Sequence, residues 1–444
     1  MSIELKSYQK LPVEFMKDHR GLILFFSTGA GKTLTALYSV YQFENEIIII
    51  GTKSSRKTFT DNIRLANMLP SRFTFYTYAK IKLILHDNVT IFKNKSVIVD
   101  EAHNLRSENV NNLYIVSALT LAYKVILLTA TPVVNYLNDL SVLVNIVKGE
   151  EVLPTEKNLF NQMFFDEEKM ALINEDILFN KLKNTISYYK MVDDVNYPTS
   201  TTYYMEVEMN HAQLDEYVYY VKKIIFEDKN ITNVVDILNI DYGLLTTKKK
   251  NSFLTATRQL SNTLNNADNT PKIKAIYKRI RNGPYPVIVY SNFLRNGIYT
   301  LATLLEKNNI SYKTISGLTT HDKLNLIVNN YNDGLYKVLL ISSAGSESLD
   351  LKNTRQIHIM EPHWNESKIT QVIGRSIRYK SHESLSVNER HVDIYRWISI
   401  FPTHIKNASA DQYLMKLSLL KKKIWDVYQN IIIKSSIENN YGKH

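Results

Sequence analysis

A glycine-rich segment that ends in a lysine and a threonine has residue types and spacing suited to binding a phosphate group. It reads Ser27-Thr28-Gly29-Ala30-Gly31-Lys32-Thr33 and follows an apolar run, Leu22 to Phe26. Its glycines allow backbone N–H groups to turn toward an anion, and the start of the predicted helix after it adds a positive dipole end. Lys32 would reach the β- and γ-phosphates of a nucleotide, and the Thr33 hydroxyl would hold Mg²⁺. The alternative is a strand–turn–helix in which Gly-Lys-Thr occurs by chance.

Two adjacent carboxylates end a second apolar run. Asp100 and Glu101 follow Ser96 to Val99, and His103 comes two residues later. Asp100 would bind Mg²⁺ directly or through water, and Glu101 would orient or deprotonate the attacking water. The alternative is an acidic pair at a helix start, but the glycine-rich loop upstream favours the catalytic interpretation. We expect His103 to couple this site to a neighbouring lobe.

Hydroxyl and amide groups elsewhere are candidates for the same site. Thr129 and Thr131 end a further apolar run and can form hydrogen bonds to the acidic segment, so we assign them to coupling. Gln9 lies upstream of the first strand, and its amide can donate to and accept from a purine edge. The alternative for Gln9 is a surface position on an N-terminal helix.

The second half of the chain offers two arginines at regular spacing. Gln371, Arg375 and Arg378 would share one face of a helix, at spacings of four and three. Two guanidinium groups beside an amide suit a triphosphate tail, although a solvated basic face is the alternative. Asp350 follows a predicted strand in this half, and we assign it with Gln371 to nucleotide binding.

Apolar strands that alternate with helices must position these residues. Four such strands precede residue 147 and predict a doubly wound parallel sheet, and a second α/β block starts near Pro271. Thr201 to Met209 predicts a strand within an otherwise mainly helical stretch. We expect an α/β ATP-binding domain at 1–147, a mainly helical insertion at 148–270, a second α/β domain at 271–400 and a helical extension at 401–444. The apolar stripe of that extension predicts packing on the second domain or binding to a partner.

The composition favours a polyanionic partner. The net charge is +11 and the pI is near 9.2, which most simply indicates nucleic acid, although a merely soluble basic surface is the alternative. Thr52 to Lys57 and Lys248 to Lys250, the latter near Arg258 to Asn262, are candidate contacts. The absence of cysteine excludes disulfides, thiol nucleophiles and Cys-ligated metal centres. No apolar run approaches the ~20 residues that a membrane span needs, so we expect no membrane.

These motifs, in this order, resemble those of superfamily 2 helicases and translocases over most of the chain. Thr129 to Asn135 resembles the third motif of the Swi/Snf type. Ile341 to Gly345, Ile359 to Asn365 and Gln371 to His382 resemble a viral branch of the superfamily. That branch contains poxvirus nucleoside triphosphate phosphohydrolase I and the small subunit of the poxvirus early transcription factor.

The resemblance implies two RecA-like P-loop domains with ATP and Mg²⁺ between them and duplex DNA across the top. Lys32, Asp100 and Glu101 would act from one domain, and Arg375 and Arg378 would act as arginine fingers from the other. The implied activity is a DNA-dependent ATPase that moves along duplex DNA and serves viral transcription. A viral RNA polymerase or transcription factor subunit is the implied partner, in the host cytoplasm. An RNA helicase of the Asp-Glu-Ala-His kind and a promoter-binding factor that uses ATP as a switch are the alternatives.

The sequence departs from the family pattern at three points. The eight-residue phosphate-loop pattern has glycine where this chain has Phe26, and the shorter helicase form is the one present. The fifth motif usually has glycine where this chain has Ser348, which predicts a differently shaped loop. The chain is also short for the branch, so we expect an accessory partner-binding region to be missing.

Overall fold

The protein is described by a computed structural model. It describes residues 4–27, 29–106, 112–130, 136–166, 169, 171–190, 196–226, 238–242, 245–264, 270–343, 349–363 and 366–441, without the side chains of His321, Ser367 and Lys368. The chain forms two compact units. Unit 1 is Met1–Val192 with Lys421–His444, and unit 2 is Asp193–Leu420.

Unit 1 contains a parallel sheet of six strands in the order β3-β2-β4-β5-β1-β8. Its strands are β1 Gly21–Phe26, β2 Ile47–Gly51, β3 Phe73–Thr77, β4 Ser96–Val99, β5 Lys124–Thr129 and β8 Ile186–Tyr189, and β6 Phe165–Asp166 with β7 Ala171–Leu172 forms a separate short antiparallel pair. Alternate residues of the central strands pack on opposite faces, for example Ile23 on one and Leu24 on the other. Both faces are therefore covered, which explains why these strands are continuous apolar runs.

Helices cover both faces of this sheet. They are α1 Ser7–Asp18, α2 Lys32–Tyr41, α3 Ser55–Leu65, α4 Tyr78–Asp87, α5 Leu113–Leu119, α6 Asp139–Lys148, α7 Lys157–Phe164 and α8 Glu175–Leu182. Buried cations hold several helix ends, where backbone carbonyls lack partners within the helix. The Lys124 ammonium, for instance, donates to the carbonyls of Met16, Lys17 and His19 at 2.8, 3.2 and 2.9 Å.

Unit 2 repeats the architecture with a parallel sheet in the order β11-β12-β10-β13-β14-β9. Its strands are β9 Thr199–Glu208, β10 Val287–Ser291, β11 Tyr312–Ile315, β12 Val338–Ser342, β13 Gln356–Ile359 and β14 His391–Ile400. Its helices are α9 His211–Tyr220, α10 Thr247–Asn262, α11 Pro271–Asn282, α12 Thr300–Lys307, α13 His321–Asn332 and α14 Glu366–Gly374, and α15 Ala410–Ser435 begins here. The predicted fold class, two α/β domains with parallel sheets, is confirmed.

The C-terminal helix differs from its prediction. Tyr428, Ile431 and Ile432 of α15 are buried in the apolar core of unit 1, and the final helix α16, Ile437–Tyr441, belongs to the same unit. The prediction that this extension packs on the second domain is therefore wrong for its second half. An apolar stripe shows that a helix face is buried, but its spacing does not show which surface covers it.

The stretch at 148–270 contributes a strand to each sheet. β8 pairs with β1 in unit 1, and β9, which matches the strand predicted from Thr201 to Met209, pairs with β14 in unit 2. The four-part division predicted from the sequence stays a prediction. Among the helices that the structure describes, none combines the length and apolar character needed to cross a membrane.

Candidate active site at the edge of the first sheet

The loop between β1 and α2 has the backbone shape that the glycines predicted. Gly29 and Gly31 have φ angles of 86° and 77°, in the left-handed region that favours glycine. A Cβ atom on Gly31 would also lie 2.4 Å from Nε2 of Gln9. The backbone angle therefore favours glycine at this position, and a side chain there would also displace the Gln9 amide.

The Lys32 ammonium is folded back over this loop. Nζ donates to the carbonyl oxygens of Phe26 at 2.8 Å and Ser27 at 3.3 Å. Lys32 is also the first residue of α2, so its positive charge, the positive end of the helix and the loop backbone lie together. That arrangement suits the phosphates of a nucleotide.

Helix α1 supports the loop from the N-terminal side. The Tyr8 hydroxyl donates to the Ala30 carbonyl at 3.2 Å, and its ring stacks on Tyr189 with the centroids 3.6 Å apart. Gln9 is only 5% exposed; its Oε1 accepts from the Lys6 N–H at 2.9 Å, and its Nε2 lies 3.5 Å from the Gly31 carbonyl. Both ends of the Gln9 amide therefore contact protein, and purine recognition by this residue stays a prediction.

Asp100 follows β4 at the same sheet edge as the loop, because β1 and β4 belong to one parallel sheet. Burial, and next the negative charge of Glu101, raise the pKa of Asp100 to about 6. The Ser55 hydroxyl and the charge of Lys32 act in the opposite direction. Asp100 and Lys32 are thus electrostatically coupled, as an acidic metal ligand beside a phosphate-binding lysine would be.

Glu101 has an unusual backbone. Its φ angle is 51°, and a non-glycine residue in this left-handed region costs roughly 1–2 kcal/mol. Three donors converge on its carbonyl oxygen: the Asn104 backbone N–H at 3.0 Å, the Asn104 side-chain amide at 3.0 Å and the Tyr78 hydroxyl at 3.2 Å. The Glu101 carboxylate, in contrast, is 37% exposed. The backbone is therefore held in place while the acid remains accessible.

His103 lies between the carboxylate and the next strand. Its Nδ1 is 3.4 Å from Oε2 of Glu101 and 3.4 Å from the hydroxyl of buried Thr129. Burial, and next the charge of Arg106, lower the pKa of His103 to about 4, so the ring is neutral near pH 7. The structure thus brings together three of the predicted coupling and catalytic residues. Thr28 and Thr131 lie outside the described residues.

The side chains at this edge fit Mg²⁺. Thr33 and Asp100 supply oxygen atoms, and Mg²⁺ is usually held by one or two protein oxygens together with phosphates and water. Within the ranges that the structure describes, no group of three or more His, Cys, Asp or Glu residues could hold a metal ion. A metal at this site would therefore depend on the nucleotide for most of its ligands.

Sequence reasoning missed the role of Tyr78. The Tyr78 hydroxyl donates inward to the Asp100 carbonyl at 2.8 Å and lies 3.2 Å from that of Glu101. The residue stands after a strand next to β2, at the edge where ligands bind, and this position was the available signal.

In unit 2 the predicted helical face is interrupted. Helix α14 ends at Gly374, and the Arg375 N–H still donates to the Gln371 carbonyl at 3.1 Å, whereas Arg378 lies beyond the helix. The prediction of one helical face for Gln371 and both arginines is therefore wrong for Arg378. Glycine disfavours the helix, and the Arg378 N–H is directed to the Ser381 hydroxyl at 3.2 Å. The Arg378 side chain contacts Asp350 at 3.1 Å, so Asp350, which we predicted to bind the nucleotide, has a partner within unit 2. Ser348 lies outside the described residues.

The candidate nucleic-acid segments differ in exposure. Lys53, Arg56 and Lys57 are exposed in unit 1, and Lys248 is exposed at the start of α10. Arg258 and Asn262, considered with the Lys248 run, are 2% and 0% exposed, so they are not available to a nucleic acid. Asn262 instead donates to the buried Glu361 at 2.8 Å.

Comparisons with known proteins agree with this geometry. The model of the SNF2-related domain matches residues 45–269, and that of the helicase conserved C-terminal domain matches residues 271–380. A protein of Acanthamoeba polyphaga mimivirus with the working name of ATP-dependent RNA helicase is 68% identical, with 99% of each chain covered.

More distant viral relatives also span the chain. The termination factor NPH-I homolog of African swine fever virus (isolate Tick/Malawi/Lil 20-1/1983) is 24% identical. The alignment covers 76% of that protein and 95% of this chain. Nucleoside triphosphatase I of Melanoplus sanguinipes entomopoxvirus is 25% identical and is covered over 80%, with all of this chain. The helicase domain of Pyrococcus furiosus Hef has a TM-score of 0.51 at 16% identity, over 94% of this chain and 98% of that one, which supports the fold.

Proposed function

The chain belongs to the SNF2-related family, in the viral branch of superfamily 2, and we propose that it uses ATP hydrolysis to move along duplex DNA during viral transcription. Membership confirms the resemblance found in the motifs and makes the chain an ATP-hydrolysing enzyme of the helicase type. The choice of duplex DNA, movement along it and a role in transcription are the proposal.

The observation that carries the proposal is the convergence at one sheet edge of Lys32, Asp100, Glu101 and His103. Lys32 holds the phosphate tail, and Glu101 orients the attacking water and accepts its proton. His103 links the Glu101 carboxylate to Thr129. Thr33 and Asp100 would hold Mg²⁺, which when bound neutralises charge on the phosphates.

The nucleotide contacts assigned from the family pattern remain part of the proposal. Arg375 and Arg378 would stabilise charge that develops on the transferred phosphate, and Gln371 would support them. The structure gives their places within unit 2, and their contact with a nucleotide stays a prediction.

Charge supports a nucleic-acid partner, and one relative supports a role in transcription. The chain carries a net charge of +11, which favours sequence-independent binding to a phosphate backbone. One relative is named a termination factor, and such a role would place this chain with a viral RNA polymerase in the host cytoplasm. The relative at 68% identity carries the name of an RNA helicase, so an RNA substrate is the second candidate.

The deciding experiment is the rate of ATP hydrolysis with no nucleic acid, single-stranded DNA, duplex DNA and RNA, each at low and physiological salt. We expect duplex DNA to stimulate the rate most, with an affinity that falls steeply as salt rises. A triplex-displacement assay then tests movement along the duplex. Stimulation by RNA above that by DNA, with separation of RNA strands, would instead establish the second candidate.

A further inference from the structure

Exposed cations follow two neighbouring strands of unit 1. Lys53 and Lys57 come after β2, and Lys80 comes after β3, and all three are exposed. Strands β3, β2 and β4 are parallel neighbours, so the segments after them meet at the edge that holds Asp100 and Glu101. A phosphate backbone seated on these lysines would therefore lie next to the catalytic carboxylates rather than on a remote face.

Each basic segment also has a hydroxyl beside the Asp100–Glu101 pair. After β3, the Tyr78 hydroxyl donates to the Asp100 backbone carbonyl at 2.8 Å and lies 3.2 Å from the Glu101 backbone carbonyl. After β2, the Ser55 hydroxyl donates to the Thr52 carbonyl at 3.0 Å, and both this hydroxyl and Cβ of Asp100 lie next to Gly51. Side chains of two different segments thus lie at the same pair.

The end of β2 packs closely against the start of α3 and against Asp100. A Cβ atom on Gly51 would lie 2.6 Å from the Ser55 hydroxyl and 3.4 Å from Cβ of Asp100. Ser55 and Tyr78 are the first residues of α3 and α4, so a shift of either helix start moves a hydroxyl that contacts the site.

The backbone at Glu101 makes that contact consequential. The left-handed conformation of Glu101 is disfavoured without support, and Tyr78 is one of two residues that donate to its carbonyl. The Tyr78 hydroxyl is the donor in these contacts, because a backbone carbonyl can only accept.

We propose that Tyr78, assisted by Ser55, is a positioning residue that transmits nucleic-acid binding on the basic segments after β2 and β3 to the orientation of Glu101. A bound phosphate backbone fixes the starts of α3 and α4, the Tyr78 hydroxyl fixes the Asp100–Glu101 backbone while Ser55 holds the start of α3 beside Asp100, and hydrolysis becomes faster. The inference rests on the proposed function, since it requires ATP hydrolysis that responds to nucleic acid.

The test is the ratio of kcat with saturating duplex DNA to kcat without it, together with KM for ATP and Kd for DNA. Tyr78→Phe removes only the hydroxyl and should lower the ratio about tenfold, the effect of losing one hydrogen bond that forms fully in the stimulated state. KM and Kd should stay within about twofold of wild type. Ser55→Ala should lower the ratio by a smaller factor and gives a second, independent readout.

Two controls distinguish the transmission of nucleic-acid binding to Glu101 from a purely structural role. Tyr76→Phe, in strand β3 two residues before Tyr78, should keep the wild-type ratio. Lys53→Ala with Lys80→Ala should weaken DNA binding but keep the ratio once DNA is saturating. The inference would be overturned if Tyr78→Phe and Ser55→Ala lowered kcat equally with and without duplex DNA, so that the ratio stayed unchanged. The hydroxyls would then support the site without transmitting nucleic-acid binding to it. If no nucleic acid stimulates the wild type, the proposed function fails first.

Discussion

The second residue after an apolar strand is a glutamate in each unit, and the two glutamates have opposite surroundings. Glu101 follows β4 in unit 1, with a carboxylate that is 37% exposed. Glu361 follows β13 in unit 2 and is 1% exposed. Its oxygens accept from Asn262 at 2.8 Å, from Ser291 at 2.9 Å, and from the Asn292 backbone and side chain at 2.6 and 3.1 Å.

The difference distinguishes the carboxylate that we propose to react from one that is buried in a hydrogen-bond network on the same fold. In unit 2 the donors converge on the carboxylate itself, which fixes three segments to one another. In unit 1 the donors converge on the backbone carbonyl of Glu101, which leaves the carboxylate accessible to water and substrate. One arrangement stabilises the fold, and the other preorganises a site.

The largest expected effect comes from substitution of the two glutamates themselves. Glu101→Gln keeps the shape but cannot accept a proton, so turnover should fall by about 10²–10⁴ with ATP binding and melting temperature unchanged. Glu361→Gln replaces one acceptor by a donor that faces other donors, so the free energy of unfolding should fall by about 1–3 kcal/mol. ATPase assays, nucleotide titration and thermal melts of both variants are the measurements.

Glu14→Gln, on the exposed surface of α1, is the matched control for both variants. Wild-type hydrolysis by Glu101→Gln would remove its assignment as the residue that positions water. A Glu361→Gln variant that melts at the wild-type temperature would show that the Glu361 hydrogen bonds do not stabilise unit 2.

The next effect concerns the buried ion pair beside Glu361. Lys272 and Asp411 are 1% and 0% exposed, with 2.8 Å between Nζ and Oδ2. Lys272→Met leaves a buried carboxylate without its cation and should cost about 3–5 kcal/mol in urea unfolding. Lys272→Met with Asp411→Leu removes both charges and should recover at least half of that loss. The exposed pair Lys17–Glu14 of unit 1 is the control, and its removal should cost at most about 1 kcal/mol.

A double variant as unstable as Lys272→Met alone would contradict this prediction. It would show that the loss comes from the other partners of the pair, namely the Ser399 N–H, which donates to Asp411 at 2.9 Å, and the Met360 carbonyl, which accepts from Lys272 at 3.2 Å.

Much of unit 1 could be predicted from the sequence for a physical reason. Strands covered on both faces are continuous apolar runs, so β4 was predicted with the observed bounds and β1 within one residue. The left-handed glycines of the phosphate loop follow from the same reasoning, because only glycine adopts that backbone freely. Local chemistry was sufficient in both cases.

Two of the parts that were missed depend on contacts distant in sequence. The role of Tyr78 depends on a carbonyl 22 residues away. The burial of Tyr428 in unit 1 depends on helix α7, whose Phe160 ring lies 6.3 Å from it. Periodicity in the sequence indicates that one face of a helix is buried, but it does not indicate which element covers that face.

The smallest expected effect compares the units through pH. His358 of β13 is fully buried: the Trp397 indole N–H donates to its Nδ1 at 3.1 Å, and its Nε2 lies 3.3 Å from Oε1 of Gln356. Burial, and next the charge of Arg279, lower the pKa of His358 to about 3. Since the unfolded chain takes up this proton near pH 6.5 and the folded chain does not, stability is lost as pH falls from about 6.5 toward 3, by up to about 1.4 kcal/mol per pH unit.

His358→Gln isolates that loss, because an amide can accept from Trp397 and donate to Gln356 without titrating. Between pH 7.5 and pH 5 the wild type should lose about 2 kcal/mol more unfolding free energy than His358→Gln, measured by urea denaturation at each pH. His86→Gln, at an exposed histidine of unit 1, should follow the wild type. Equal losses for the wild type and His358→Gln would mean that His358 takes up a proton in the folded chain. The hydrogen bonds of unit 2 would then not hold that ring neutral.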